Sequence, residues 1–74
     1  RDAVDLPPEE VANGMKHILA DEISLPTTDL SRLSAQLFGF ARSGANVDSA
    51  MHRGMVKALE KGYLKVEKGR AVIL

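Results

Sequence analysis

With 74 residues the chain has room for one domain, and a domain this short buries only about 60% of the surface its unfolded chain exposes. It contains no cysteine, which excludes a disulfide framework and any thiolate metal site. Its formal net charge of zero speaks against a strong nucleic-acid binder.

The distribution of charge is more informative than the total. Up to Leu37 the acids Asp2, Asp5, Glu9, Glu10, Asp21, Glu22 and Asp29 face only Arg1, Lys16 and Arg32. From Phe38 onward Arg42, Arg53, Lys57, Lys61, Lys65, Lys68 and Arg70 face only Asp48, Glu60 and Glu67. An acidic first half and a basic second half make the chain a charge dipole whose basic end invites a polyanion.

Residues 1–6 read as a linker or frayed end, and 7–74 as a single domain. Because the first residue is Arg1, we expect a fragment of a larger protein. No signal peptide is visible and no apolar run nears the roughly 20 residues that span a bilayer, so a cytoplasmic protein without membrane contact is expected.

Pro7 and Pro8 open the first helix, where a missing amide costs nothing, and Glu9 and Glu10 suit the positive end of its dipole. Val11, Met15, Ile18 and Leu19 then form one apolar stripe at helical period, ending near Asp21 or Glu22. Gly14 inside this helix costs about 1 kcal/mol relative to alanine. Ile23 to Pro26 is too short for a helix and reads as an extended link or a one-bridge strand. Thr27 or Thr28 is expected to cap the second helix, whose buried face is Leu30, Leu33, Leu37 and Phe38 and whose stop is Gly39.

The third helix carries the clearest pattern. Val47, Ala50, Met51, Gly54, Met55, Ala58 and Leu59 all fit a 3.6-residue period, and the small residues Ala50, Gly54 and Ala58 would let another backbone approach closely. Gly62 ends it. Leu64 to Val66 and Arg70 to Leu74 then read as strands of a hairpin turning at Glu67-Lys68-Gly69, with Leu64 and Val66 on the packed face. Three helices and a terminal hairpin, with a short turn between the second and third helices, describe a mainly α winged helix-turn-helix with a C-terminal wing.

Catalysis finds no support in the residues. His17 and His52 lie in different helices, neither belongs to a zinc-binding spacing, and no phosphate-binding glycine loop is present. The expectation is a non-enzyme with no cofactor, no metal and no small-molecule substrate. In a helix-turn-helix the second helix of the motif enters the major groove while flanking groups hold phosphates. That assigns nucleic-acid contact to Arg42, Ser43, Asn46, Ser49, Arg53, Lys57 and Lys61 around a recognition helix from about Ser43 to Lys61, and to Lys65 and Arg70, with Lys68, on the wing. Tyr63 is the one aromatic placed to stack on a base. Met15, Met51 and Met55 read as core, although methionines also line adaptable partner grooves. The competing reading is a docking domain that contacts protein and no nucleic acid.

The run Phe38-Gly39-Phe40, followed by Arg42, Gly44 and Val47, resembles a bacterial domain of unknown function found toward the C-terminus of large proteins related to superfamily 1 DNA helicases. Pro26 and Leu30 upstream, and Ala58, Leu59 and Gly62 downstream, fit the same pattern, so the resemblance spans roughly residues 11–74. Where that family usually carries more basic residues, this chain has Ala45, Asn46 and Asp48. The resemblance implies a helicase- or nuclease-related parent and supplies no catalytic residue. Read physically, Gly39 lets the helix stop, Phe40 plugs the space between helices two and three, and Gly44 allows a tight start to helix three. Arg42 would then cap the end of helix two or meet phosphate.

Overall fold

The computed structural model describes residues 2–42 and 44–74. Three helices, α1 (Pro8–Glu22), α2 (Thr27–Leu37) and α3 (Ala45–Glu60), pack with a small antiparallel sheet of β1 (Ser24–Pro26), β2 (Leu64–Glu67) and β3 (Arg70–Ile73). The strand order is β1-β3-β2, so the link after α1 adds a third strand to the far edge of the hairpin, pairing Ser24 with Val72 and Pro26 with Arg70. The hairpin registers Leu64 against Ile73 and Glu67 against Arg70. Its two-residue turn places both Lys68 (φ 51°) and Gly69 (φ 76°) in the left-handed region, as a type I′ turn requires.

The core is formed by Val11, Met15 and Leu19 of α1, Leu30 of α2, Met51 of α3 and Leu64 of β2, all essentially inaccessible to solvent. The small residues of α3 do what their spacing suggests: α1 is the backbone that approaches them. A Cβ placed on Gly54 would overlap the Val11 side chain, its Cβ included, and would lie 3.5 Å from the Val11 backbone carbon. The stops of α2 and α3 use the same device. Gly39 (φ 89°) donates to the Gln36 carbonyl while Phe40 N–H donates to that of Ala35; Gly62 (φ 72°) donates to Leu59 while Tyr63 N–H donates to Ala58. Each is a Schellman closure that satisfies the last carbonyls of its helix.

Several expectations are corrected. The segment 1–6 is not a linker over its described part: Ala3–Asp5 forms a 3-10 turn against α3, and Ala3 and Leu6 are buried in the core. Neither threonine caps α2. Pro26 is the N-cap, and the Thr27 N–H is satisfied instead by the Gly69 carbonyl at 3.0 Å, which ties the hairpin turn to the start of α2. Gly44 is extended (φ −174°), and a methyl group added to it would meet nothing within 4 Å, so the start of α3 does not need a glycine.

Three apolar side chains expected inside face water. Leu59 is 42% exposed because it lies about 100° around the helix from Ala58, beyond the arc that faces α1. Leu37 is 53% exposed in the last turn of α2, where one methyl rests beside Gly14. Val66 shares the face of Leu64 but sits nearer the hairpin turn, past the edge of the core.

Candidate nucleic-acid interface and the groove beside it

The residues expected to meet nucleic acid do not form one continuous surface. On α3, Asn46, Ser49 and Arg53 are exposed, and the Arg53 guanidinium donates to the Ser49 hydroxyl at 2.8 Å. Lys57 lies at the seam between α3 and α1, where its ammonium is 3.1 Å from the Glu60 carboxylate and 4.0 Å from that of Glu9. The hydrogen bond to Glu60, and then its charge, raise the Lys57 pKa above the ordinary 10.5. Lys61 caps the C-terminal end of α3 and is exposed.

On the hairpin, Lys65 is held by Glu67 at 2.7 Å. Arg70 donates through Nε to the Ser24 hydroxyl at 3.0 Å and reaches the Ser24 carbonyl at 3.4 Å. The register puts Lys65, Glu67 and Arg70 on one sheet face, opposite to the face that carries buried Leu64 and Ala71. Two of the expected wing contacts therefore point away from the helical core. Ser43 lies outside the described residues. Tyr63 is half-buried, with the Lys16 ammonium 4.5 Å from its ring centroid, so one face of the ring is already occupied.

Arg42 is exposed in the connection before α3. It does not cap α2, because the backbone amides of Gly39 and Phe40 already close that end. Arg42, Arg53, Lys61 and Lys68 are the cations of the basic half that have neither an acid partner among the described residues nor a place on the outer sheet face. His17 and His52 are exposed, and no group of three His, Asp or Glu among the described residues could hold a metal ion. No described helix is long and apolar enough to cross a membrane.

A groove of about 770 Å³ runs between α2 and α3. One wall is Val47, Met51 and Met55 of α3, spaced a helical turn apart; the facing wall is Thr28, Ser31 and Ala35 of α2. Where a filled core would place branched aliphatics on α2, this helix presents a methyl, a hydroxyl and a hydroxyl-methyl, which leaves Val47 and Met55 only partly covered while Met51 stays buried between them. Phe40, half-buried against the core, also lines the groove, and the exposed Arg32, Arg42 and His52 stand on the rim with Asp48. The α2 residues of this groove were missed by reading the sequence, because Thr28, Ser31 and Arg32 look like an ordinary solvated face. The signal present was the i, i+4, i+8 row of Val47, Met51 and Met55 set against small residues at matching spacing on the preceding helix.

Comparisons of this chain with family models, with curated proteins and with solved structures find no match.

Proposed function

We propose that this chain is a non-catalytic winged-helix module of a larger DNA-processing protein, and that it holds the DNA backbone weakly through α3 and the hairpin turn. The element order α1-β1-α2-α3-β2-β3, with β1 on the outer edge of β3, supports the winged-helix reading. The resemblance of Phe38-Gly39-Phe40, Arg42, Gly44 and Val47 to a helicase-associated domain supports the kind of parent. A cytoplasmic location goes with that reading.

The observation that carries the nucleic-acid part is the set of cations without acid partners: Arg42 before α3, Arg53 on it, Lys61 at its end and Lys68 at the hairpin turn. It is a reduced set. Lys57 and Lys65 would have to leave carboxylates before reaching a phosphate, and Arg70 faces off the outer sheet. Phosphate contacts set affinity through counterion release, with about 0.9 of an ion released per contact on duplex DNA. Four contacts give a log–log salt slope of about −3.6, or a loss of roughly 100-fold between about 50 and 200 mM salt. A dissociation constant in the 10⁻⁴ to 10⁻⁶ M range is expected, typical of binding without sequence choice.

The test is a titration of a short labelled duplex at those two salt concentrations, with the native chain and with Arg53→Ala plus Lys61→Ala. The variant should flatten the slope by about 2. Absence of salt-sensitive binding at high micromolar protein, or an unchanged slope in the variant, removes the proposal.

A further inference from the structure

The groove between α2 and α3 shares only its rim residue Arg42 with the phosphate grip, and the chemistry of its floor suits a different ligand. Its floor is apolar, and phosphate or base edges would gain nothing from Val47, Met51 and Met55. We propose that this groove is the docking site for an acidic amphipathic helix of a protein partner, which lays its apolar face on the methionine wall and its carboxylates on the two arginines of the rim.

Three observations fix that choice. The α3 wall from Val47 to Met55 is two helical turns long, about 12 Å, which matches the reach of a short apolar stripe on a ligand helix. The groove, at about 770 Å³, holds several side chains, not one. Methionines adapt to differently shaped apolar partners, and the half-buried Met55 supplies that adaptable surface beside Met51, which is fixed in the core.

The rim then selects charge. Arg42 has no ion-pair partner among the described residues, and Arg32 meets Asp29 only at 3.9 Å between exposed groups. His52 adds a third donor, against the single carboxylate of Asp48. Guanidinium groups flanking an apolar trough recognise carboxylates flanking an apolar stripe, in bidentate pairs where geometry allows. A basic helix would meet two like charges at the same positions.

The test uses two synthetic peptides of roughly 14 residues, both with leucine at i, i+4 and i+7, one flanked by glutamates and the other by lysines at the same places. Binding is followed by fluorescence anisotropy, and its place by backbone and methyl NMR of the whole chain. The glutamate peptide should bind with Kd on the order of 10–100 μM and shift the signals of Ala35, Val47, Met51 and Met55, while the lysine peptide binds at least about tenfold more weakly. Arg32→Glu plus Arg42→Glu, two exposed positions whose change leaves the core intact, should invert that preference.

Equal binding of the two peptides overturns the proposal, as do shifts confined to other surfaces. So does concentration-dependent shifting of the groove signals without peptide, which would mean a second copy fills it, or shifting of the Met51 and Met55 methyl signals on the groove floor by duplex DNA.

Discussion

Substituting Gly54 by alanine should destabilise the domain by about 2 kcal/mol, although alanine is the better helix former. Gly54 is buried at the crossing of α3 with α1, and a Cβ there would collide with the Val11 Cβ as well as its methyl. The obstacle is not the end of a flexible chain. Relief requires the two helices to part, because the Val11 Cβ is fixed to the α1 backbone and no rotamer change moves it aside. Overpacking of this kind costs up to about 3 kcal/mol, and the gain in helix propensity returns about 1 kcal/mol. A domain of 74 residues has a total stability of about 4–11 kcal/mol. A net loss near 2 kcal/mol lowers Tm by roughly 8–16 °C.

The assay is thermal and urea unfolding of the native chain, Gly54→Ala, Val11→Ala and the double variant. Val11→Ala alone loses buried methyl groups and is destabilising. Combined with Gly54→Ala it removes part of the collision, so the double variant should be more stable than the sum of the single losses by about 1 kcal/mol. Gly44→Ala is the internal control. Its extended backbone and open surroundings accept alanine, and stability should change by less than about 0.5 kcal/mol, because the lost freedom of the unfolded chain is offset by alanine being a poorer N-cap for α3. A Gly54→Ala protein melting within about 2 °C of the native one, or strictly additive losses in the cycle, would refute the α1–α3 crossing as drawn.

Other expectations follow from single residues. Ser34 is fully buried in α2 and its hydroxyl has no hydrogen-bond partner, so Ser34→Ala should raise stability by about 1 kcal/mol in urea unfolding; a loss would mean the hydroxyl is satisfied. Ile23 closes α1 at φ 69°, a conformation unfavourable for a β-branched residue, while its side chain is 63% exposed. Ile23→Gly should therefore stabilise by about 1 kcal/mol, read as a higher Tm; a lower Tm would show that the side chain contributes more than the backbone conformation costs. The Lys57 ammonium is held above 10.5 by Glu60, so its contribution is whole below that pH and is lost as pH rises through the raised value. Lys57→Met should accordingly make unfolding less steep in that alkaline window, and an identical alkaline profile would contradict the pairing.

The helices, their stops and the hairpin were legible in the chain because their determinants are local. Pro8 at the start of α1, Gly39 and Gly62 one step past two helix ends, and Lys68-Gly69 between two β-prone runs each act on the backbone that carries them. The close approach at Gly54 was half legible. The run of small residues on α3 announces a neighbour, but nothing in the order of residues says that the neighbour is Val11. Side chains at the ends of stripes went wrong in one direction: Leu37, Leu59 and Val66 fit the period, yet each lies where the core has already ended.

The interface was less legible than the fold. A count of cations after Phe38 gives a basic half, but the effective charge depends on partners supplied by other elements. Glu9 comes to Lys57 from α1, and Ser24 comes to Arg70 from β1 across 46 positions of sequence. The facing of Lys65 and Arg70 off the outer sheet depends on the register, which the two-residue turn fixes only once it is known to be I′. The α2–α3 groove exists because two helices fail to fill a shared space, and that mismatch has no trace in either helix alone.

The most direct measurement of the central idea, a weak backbone grip by the unpaired cations of α3 and the hairpin turn, is an NMR titration of the ¹⁵N-labelled chain with a short DNA duplex at low salt. Shifts gathered around Arg42, Asn46, Arg53, Lys61 and Lys68, fading as salt is raised, are the expected result. Shifts on the acidic α1 face, or none at all at high micromolar protein, would contradict it.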